Sequence, residues 1–214
     1  MSDVWSERAE LYRTSAIHSS GDDLDLLVEW CEPAPGVTAL DVATGGGHVA
    51  RRLREAGATV VTVDPAPGMQ ADTTAPAEDL PFADGSFDVA ACRLAAHHFA
   101  DVGRAIRELA RVARARVVVC DNTFVSDVSE EADVVRDPSH VRNYSVDEWH
   151  ELFGAAGLEI AAERFMFRPL EIEPWLERAG CTGDEAARVR ELLADRISDG
   201  VMDLPTLVLK GVKR

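Results

Sequence analysis

Asp41-Val42-Ala43-Thr44-Gly45-Gly46-Gly47-His48, with Val63-Asp64 further on, decides how this chain folds. The apolar run from Val37 to Val42 reads as a buried strand. It breaks at three adjacent glycines, and the stretch from Val49 to Ala56 reads as a helix. A second apolar run, Thr59 to Val63, ends in an acid. Strand, glycine turn, helix, strand and carboxylate is the layout of a nucleotide-type binding half. Glycines let the backbone approach a ligand closely, at a stability cost that an ordinary turn need not bear. Asp64 stands where a carboxylate can accept both hydroxyls of a ribose.

Charge narrows the ligand. Gly45-x-Gly47-x-x-Ala50 also fits a dinucleotide fingerprint, and Asp64 lies 19 residues after Gly45, near the expected spacing. Asp41, however, precedes the glycines at the end of the first strand, where an acid would repel a pyrophosphate. It suits a ligand with a cationic end, such as the ammonium and sulfonium of S-adenosylmethionine. A nicotinamide dinucleotide and a tight turn that binds nothing are the competing readings.

At 214 residues the chain is expected to form one domain, 1–214, with N-terminal lid helices over 1–35, a binding core over 36–122 and an acceptor-side half over 123–214. The composition, 46% hydrophobic and 28% charged, is that of a globular protein. No apolar stretch is long enough to span a bilayer, and the polar, acidic start is not a secretory signal. Cys31, Cys92, Cys120 and Cys181 are widely spaced and read as buried free thiols in a reducing cytoplasm. A net charge of −16 argues against nucleic acid and anionic membranes as partners. The same charge favours an uncharged or cationic small molecule as acceptor; the chain is expected to be a monomer or homodimer.

Helical stretches are expected at Trp5 to Thr14 and at Asp22 to Cys31, the second capped by Asp22. Residues 64–77 carry Pro65, Pro67, Gly68 and Pro76 and cannot supply both a helix and a strand. An irregular loop with at most a short extended piece near Met69 to Thr73 is expected. Strands follow at Ser86 to Cys92, Arg116 to Cys120, Leu158 to Phe167 and Leu204 to Val212. Helices are expected from Asp101 to Ala113, behind a Ser145/Glu148 capping box, at Glu173 to Ala179, and behind a Thr182/Glu185 capping box. The alternation gives an α/β fold, a mostly parallel sheet covered on both faces.

Taken together, the motifs resemble the class I S-adenosylmethionine-dependent methyltransferases, in particular the small-molecule branch related to quinone-biosynthesis enzymes. The first motif is Asp41 to His48, and Val63-Asp64 followed by Met69 is similar to the ribose-binding strand end. Ala77-Glu-Asp-Leu-Pro-Phe-Ala-Asp-Gly-Ser-Phe-Asp-Val89, Arg93-Leu-Ala-Ala-His-His-Phe99 and Arg136-Asp-Pro-Ser-His140 extend the likeness. The resemblance implies a Rossmann-like doubly wound sheet with a C-terminal antiparallel strand, here reduced by loss of the helix and edge strand after the second strand. It implies S-adenosylmethionine as cofactor, with Asp64 on the ribose. Gly45 and Gly47 would line the methionine portion, with Asp41 on its amino group, and Met69 would pack on the adenine; Ala43, Thr44 and Pro65 also belong to the implied cofactor site. Ala77, Glu78 and Asp79 would lie at the adenine edge, and Arg93 also belongs to the implied site. Tyr12, Ser15 and His18 resemble a lid segment. Pro76 replaces the acid that usually reads the adenine amino group.

Methyl transfer from a sulfonium is a direct displacement, so alignment and exclusion of water matter more than a fixed set of catalytic groups. His97 and His98 follow a strand's carboxyl end, where ligands bind in open sheets, and are the candidates for base or substrate positioning. His140 sits after a turn sequence and could reach the pocket mouth or bond locally. No metal is expected, since His98-x-x-Asp101 reads better as a histidine beside a helix cap. The competing functions are a degenerate methyltransferase fold acting as a binding partner, and non-methyl chemistry in the same pocket.

Overall fold

A computed structural model describes residues 4–14 and 16–213; Ser15 of the expected lid lies outside the described residues. The chain opens with α1 (Val4–Arg13), α2 (Ala16–Ser19) and α3 (Asp22–Cys31). The core runs β1 (Thr38–Val42), α4 (His48–Glu55), β2 (Thr59–Asp64), β3 (Thr73–Thr74), β4 (Phe87–Arg93), α5 (Val102–Val112) and β5 (Ala113–Asn122). It continues through α6 (Asp127–Arg136), α7 (Val146–Ala155), β6 (Leu158–Glu171), α8 (Ile172–Arg178), α9 (Gly183–Leu192), β7 (Ile197–Ser198) and β8 (Val201–Lys213).

One sheet carries these strands in the order β3-β2-β1-β4-β5-β8-β6, with β7 paired to β8. The first five run parallel, and β8 and β6 run antiparallel to their neighbours. Both faces are covered, so the parallel strands are apolar at successive positions. In β1, Leu40 and Val42 join the core under α5 and α7, and Ala39 joins the core under α3 and α4. In β5, Val117 and Val119 face the first of these cores and Val118 and Cys120 the second. A third cluster, built from α6, α8, α9 and the far ends of β6 and β8, centres on Leu176, Val189 and Met202.

Several boundaries differ from those the sequence suggests. The edge strand is not lost: residues 65–76 form a three-residue 3-10 turn at Pro67–Met69 and then β3, which pairs with β2 through Val63–Thr73 and Asp64–Thr74. Asp72 makes this short register possible by accepting from the Thr62 amide and hydroxyl at 2.9 and 2.8 Å. Asp22 is the first helical residue and Gly21 holds the cap position. Thr182 occupies the cap of α9 without a side-chain cap bond, whereas the Ser145/Glu148 capping box forms in both directions. Helix α6 was not expected; only Ser129 and Ala132 along it are buried, too sparse an apolar stripe to read from sequence. Cys31, Cys92, Cys120 and Cys181 are buried free thiols.

The N-terminal helices are pinned to the sheet by a buried ion pair. Arg93, the last residue of β4, reaches Asp23 of α3 (Nε–Oδ2 2.8 Å) and the carbonyl of His18 (2.8 Å). Removing one partner of such a pair strands a charge away from water, at about 3–5 kcal/mol. Asp23→Ala is therefore expected to lose about 3–5 kcal/mol in urea unfolding. Asp25→Ala, whose ion pair with Arg52 is at the surface, should lose no more than about 1 kcal/mol. Equal losses would contradict this account.

Candidate functional site

In an open parallel sheet, ligands bind beyond the carboxyl ends of the strands, where successive crossovers leave to opposite sides. Here that point lies at β1, flanked by β2 and β4, with α4 on one face and α5 on the other. A cavity of about 310 Å³ opens there. Two non-glycine residues on its wall, Ala43 after β1 and Leu94 after β4, have left-handed backbone (φ 54° each). Such strain concentrates at functional sites.

The glycine turn is shaped by Asp41. Its Oδ2 accepts from the Thr44 hydroxyl at 2.6 Å and from the Ala50 amide at 3.1 Å, tying the turn to the start of α4. Burial, opposed by these bonds and helped by the charge of Asp64, raises the Asp41 carboxyl to about 6. Asp64 accepts from the Gly45 amide (3.0 Å) and the Ala66 amide (2.9 Å), which fix its carboxylate on the cavity wall. Of the residues expected at the cofactor, Ala43, Thr44, Gly45, Pro65, Met69, Ala77, Glu78 and Arg93 line this cavity. Gly47 does not; it caps α4 at φ 76°, and Gly46 takes its place on the wall. Asp79 is also outside, its exposed side chain turned toward Arg104 at 3.9 Å.

Helix α1 lies over the opening. Gly68 donates to Ser6 Oγ (2.7 Å) and accepts from Arg13 (3.0 Å), and a Cβ on Gly68 would sit 2.5 Å from the Ser6 backbone. At the other end the Tyr12 carbonyl meets His48 Nε2 at 2.8 Å, and a Cβ on Gly46 would come within 2.6 Å of that carbonyl oxygen. The expected lid residues Tyr12 and His18 line the cavity, and so does Trp5, which sequence reasoning missed. The opposite wall is held by Arg111, which donates to the carbonyls of Leu80 and Phe82 and to Glu108, while Glu108 accepts from the Leu80 amide.

The adjacent histidines differ. His97 is buried, and both its amide (3.0 Å) and its Nδ1 (2.6 Å) meet the Asp121 carboxylate at the end of β5. Burial alone would lower the His97 pKa, but the charge and hydrogen bond of Asp121 outweigh it and raise it. Burial would likewise raise Asp121, yet His97 and the backbone amides hold it below its ordinary range. An ionised carboxylate only accepts, so Nδ1 carries a proton and Nε2 is the nitrogen left for chemistry. His98 is pushed well down by burial and then by the charge of His97; its Nδ1 contacts the Ser139 carbonyl at 3.1 Å. His140 does not line this cavity; it is bound to Glu130 at 3.2 Å, so the structure favours its local reading. Glu130, Asp133 and His140 have the ligand types of a metal site, but Asn143 Nδ2 bridges both acids at 2.7 and 2.9 Å. Asp121, missed as a site residue, ends an apolar strand on an acid, the same signal that marked Asp64.

A proton-resolved pH titration checks the histidine pair. His97 should titrate above about 6.5 and His98 should stay neutral from about pH 5 to 8. The stability His97 gains from Asp121 is complete below about 6.5 and is lost as pH rises through its raised value. In Asp121→Asn the His97 midpoint should fall below about 6.5, because burial, the largest influence, then outweighs the remaining charge of Asp133. A wild-type midpoint below that value would contradict the assignment.

Comparison with known proteins agrees with this geometry. The family described as "Methyltransferase domain" matches residues 40–120, the stretch that carries Asp41, the glycine turn, Asp64 and both histidines. The chain is 31% identical over 207 residues to the uncharacterized methyltransferase YcgJ of Bacillus subtilis, covering 86% of this chain and 82% of that protein. The crystal structure of YcgJ superposes with a TM-score of 0.81 at 27% identity, over 90% of this chain and 98% of that one. A demethylmenaquinone methyltransferase of Corynebacterium kroppenstedtii is 35% identical over 100 residues, 42% of this chain and 44% of that protein. The residues present fit the cofactor: the acids Asp41 and Asp64 suit a cationic ligand with a sugar, and Arg93, the one guanidinium on the wall among the described residues, is already bound by Asp23. The chain belongs to the class I S-adenosylmethionine-dependent methyltransferases, with S-adenosylmethionine as its cofactor.

Proposed function

We propose that this chain methylates a small molecule on an oxygen, nitrogen or carbon, with the acceptor seated beside His97 and His98. The observation that carries this reading is a second, smaller cavity that shares Tyr12, His18, Leu94 and His98 with the cofactor cavity and includes His97 in its wall. Both lie beneath the N-terminal helices, an enclosure that suits a small acceptor and excludes water.

S-adenosylmethionine, when bound, supplies a methyl group activated by a positive sulfur. Asp64 would hold its ribose and Asp41 its ammonium, with Met69 and the Ala77–Glu78 backbone against the adenine. Met69 is preordered for this by packing on Ala9 and Ala66. The absence of a helix between β2 and β3 does not leave the site open, since the short 65–76 segment supplies Pro65, Met69 and Pro76 to the wall. His97 Nε2 would take the proton of an acceptor hydroxyl or amine, with Asp121 orienting the ring and stabilising the imidazolium. A base of raised pKa works only above it, so the rate on a protonated nucleophile should rise with pH through the His97 midpoint.

Calorimetry with S-adenosylhomocysteine should show Asp64→Ala weakened at least tenfold in a protein that still folds; equal affinity would remove Asp64 from the site. Wild-type affinity should fall as pH drops below about 6, because protonated Asp41 no longer attracts the ammonium. Asp41→Asn should bind weakly at all pH values and lose that dependence. Incubation of the protein with methyl-labelled donor and a cell extract should place label in the low-molecular-mass fraction. Label confined to protein or nucleic acid would contradict the small-molecule reading.

A further inference from the structure

The smaller cavity holds about 60 Å³, and its wall carries three guanidiniums: Arg136 from α6, Arg168 from β6 and Arg178 from α8. These residues come from three separate elements and meet only in the fold. Other partly buried arginines of this chain are matched by acid: Arg93 by Asp23, Arg111 by Glu108, Arg116 by Glu32. None of the three in the cavity forms an ion pair among the described residues. Arg136 stacks over the Trp175 ring at 4.2 Å and donates to the Trp175 carbonyl at 3.3 Å. Arg168 donates to the Thr206 hydroxyl and the Asn122 side-chain oxygen, each at 2.9 Å. Arg178 makes no hydrogen bond among the described residues, and burial and then the charge of Arg136 both disfavour its cation. The acids Asp133 and Asp137 act on Arg136, but Asp137 is already engaged by the Ser139 hydroxyl at 2.7 Å and by Arg8 at 3.6 Å. Asp133 is likewise engaged, by Asn143 Nδ2 at 2.9 Å, and no acid lines the cavity among the described residues, so three gathered cations there are costly unless an anion joins them.

We propose that this cavity binds an oxyanion, and that the methyl acceptor is a small organic acid whose carboxylate is anchored by Arg136, Arg168 and Arg178 while its reacting atom faces His98 and the cofactor cavity. This rests on the acceptor reading above and names the substrate class for it. Planar guanidiniums match the paired oxygens of a carboxylate. The space is small, about 60 Å³, so the acid group enters it and the rest of the acceptor extends through the shared wall. The inference reverses the expectation of an uncharged or cationic acceptor. That expectation came from the net charge, which describes the surface and not this pocket. A phosphate monoester offers the same oxyanion chemistry, and the choice of probes below separates the two.

The test is calorimetric titration, at constant ionic strength, of protein saturated with S-adenosylhomocysteine. The probes are benzoate, malonate and inorganic phosphate, with benzamide as the neutral control. At least one anion should bind saturably and benzamide should not; carboxylate or phosphate binding then names the source of the oxyanion. Arg178→Gln, which breaks no protein hydrogen bond, should weaken that anion at least tenfold, and Arg168→Gln should do the same. Affinity for S-adenosylhomocysteine should change less than twofold in Arg178→Gln, which shows that the cofactor cavity is intact. Wild-type protein that binds S-adenosylhomocysteine but none of the anions would overturn the proposal and leave the cofactor site standing. Anion affinity unchanged in Arg178→Gln, or benzamide binding as tightly as benzoate, would also overturn it. If S-adenosylhomocysteine fails to bind, the methyltransferase reading falls, and the same anion titrations on the protein alone still decide whether the arginines form a site.

Discussion

Parallel pairing of β1 with β2 on one side and β4 on the other is the constraint on which the site depends. The pairing sends α4 to one face of the sheet and α5 to the other, and the strand ends between them cannot be covered by either helix. The crevice is therefore a consequence of topology before any residue lines it. Its chemistry is then set by what ends each strand: Val42 and Ala43 turn into the glycines, Asp64 closes β2, Arg93 closes β4 and Asp121 lies at the end of β5. Each of these acids is fixed by backbone amides, so the charges are held in place with little rearrangement left for binding.

The N-terminal helices complete what the sheet begins. Arg93 carries this coupling, because it lines the cavity and at the same time grips Asp23 and the His18 carbonyl. Arg8 of α1 donates to the carbonyl of Ala179 just beyond α8, so the cover touches both the cofactor-side core and the third, C-terminal cluster. Movement of α1 would thus open the cofactor cavity and the arginine-lined cavity together, since Tyr12 belongs to both.

The local pattern of the core was legible because it is short-range. Two apolar runs ending in Asp41 and Asp64, with glycines between, specify strand, turn and strand within a few residues. The Ser145 capping box was equally local, and formed. Asp79 and Gly47 lie off the cavity wall because the resemblance fixes a segment while the position of each residue in it depends on packing; Asp79 turns toward Arg104 and Gly47 caps α4. The pairing of His97 with Asp121 spans 24 residues, and Arg136, Arg168 and Arg178 meet across three elements, so no spacing announces either. Net charge misled for a related reason: it sums over the surface, whereas binding depends on the few groups that face a cavity.

A crystal structure of the protein grown with S-adenosylhomocysteine tests the central claim most directly. The account predicts adenosyl density in the crevice beyond β1, β2 and β4, with both ribose hydroxyls on the Asp64 carboxylate and the amino group on the side of Asp41. Density at another surface, or a ligand in the crevice that does not touch Asp64, would contradict it.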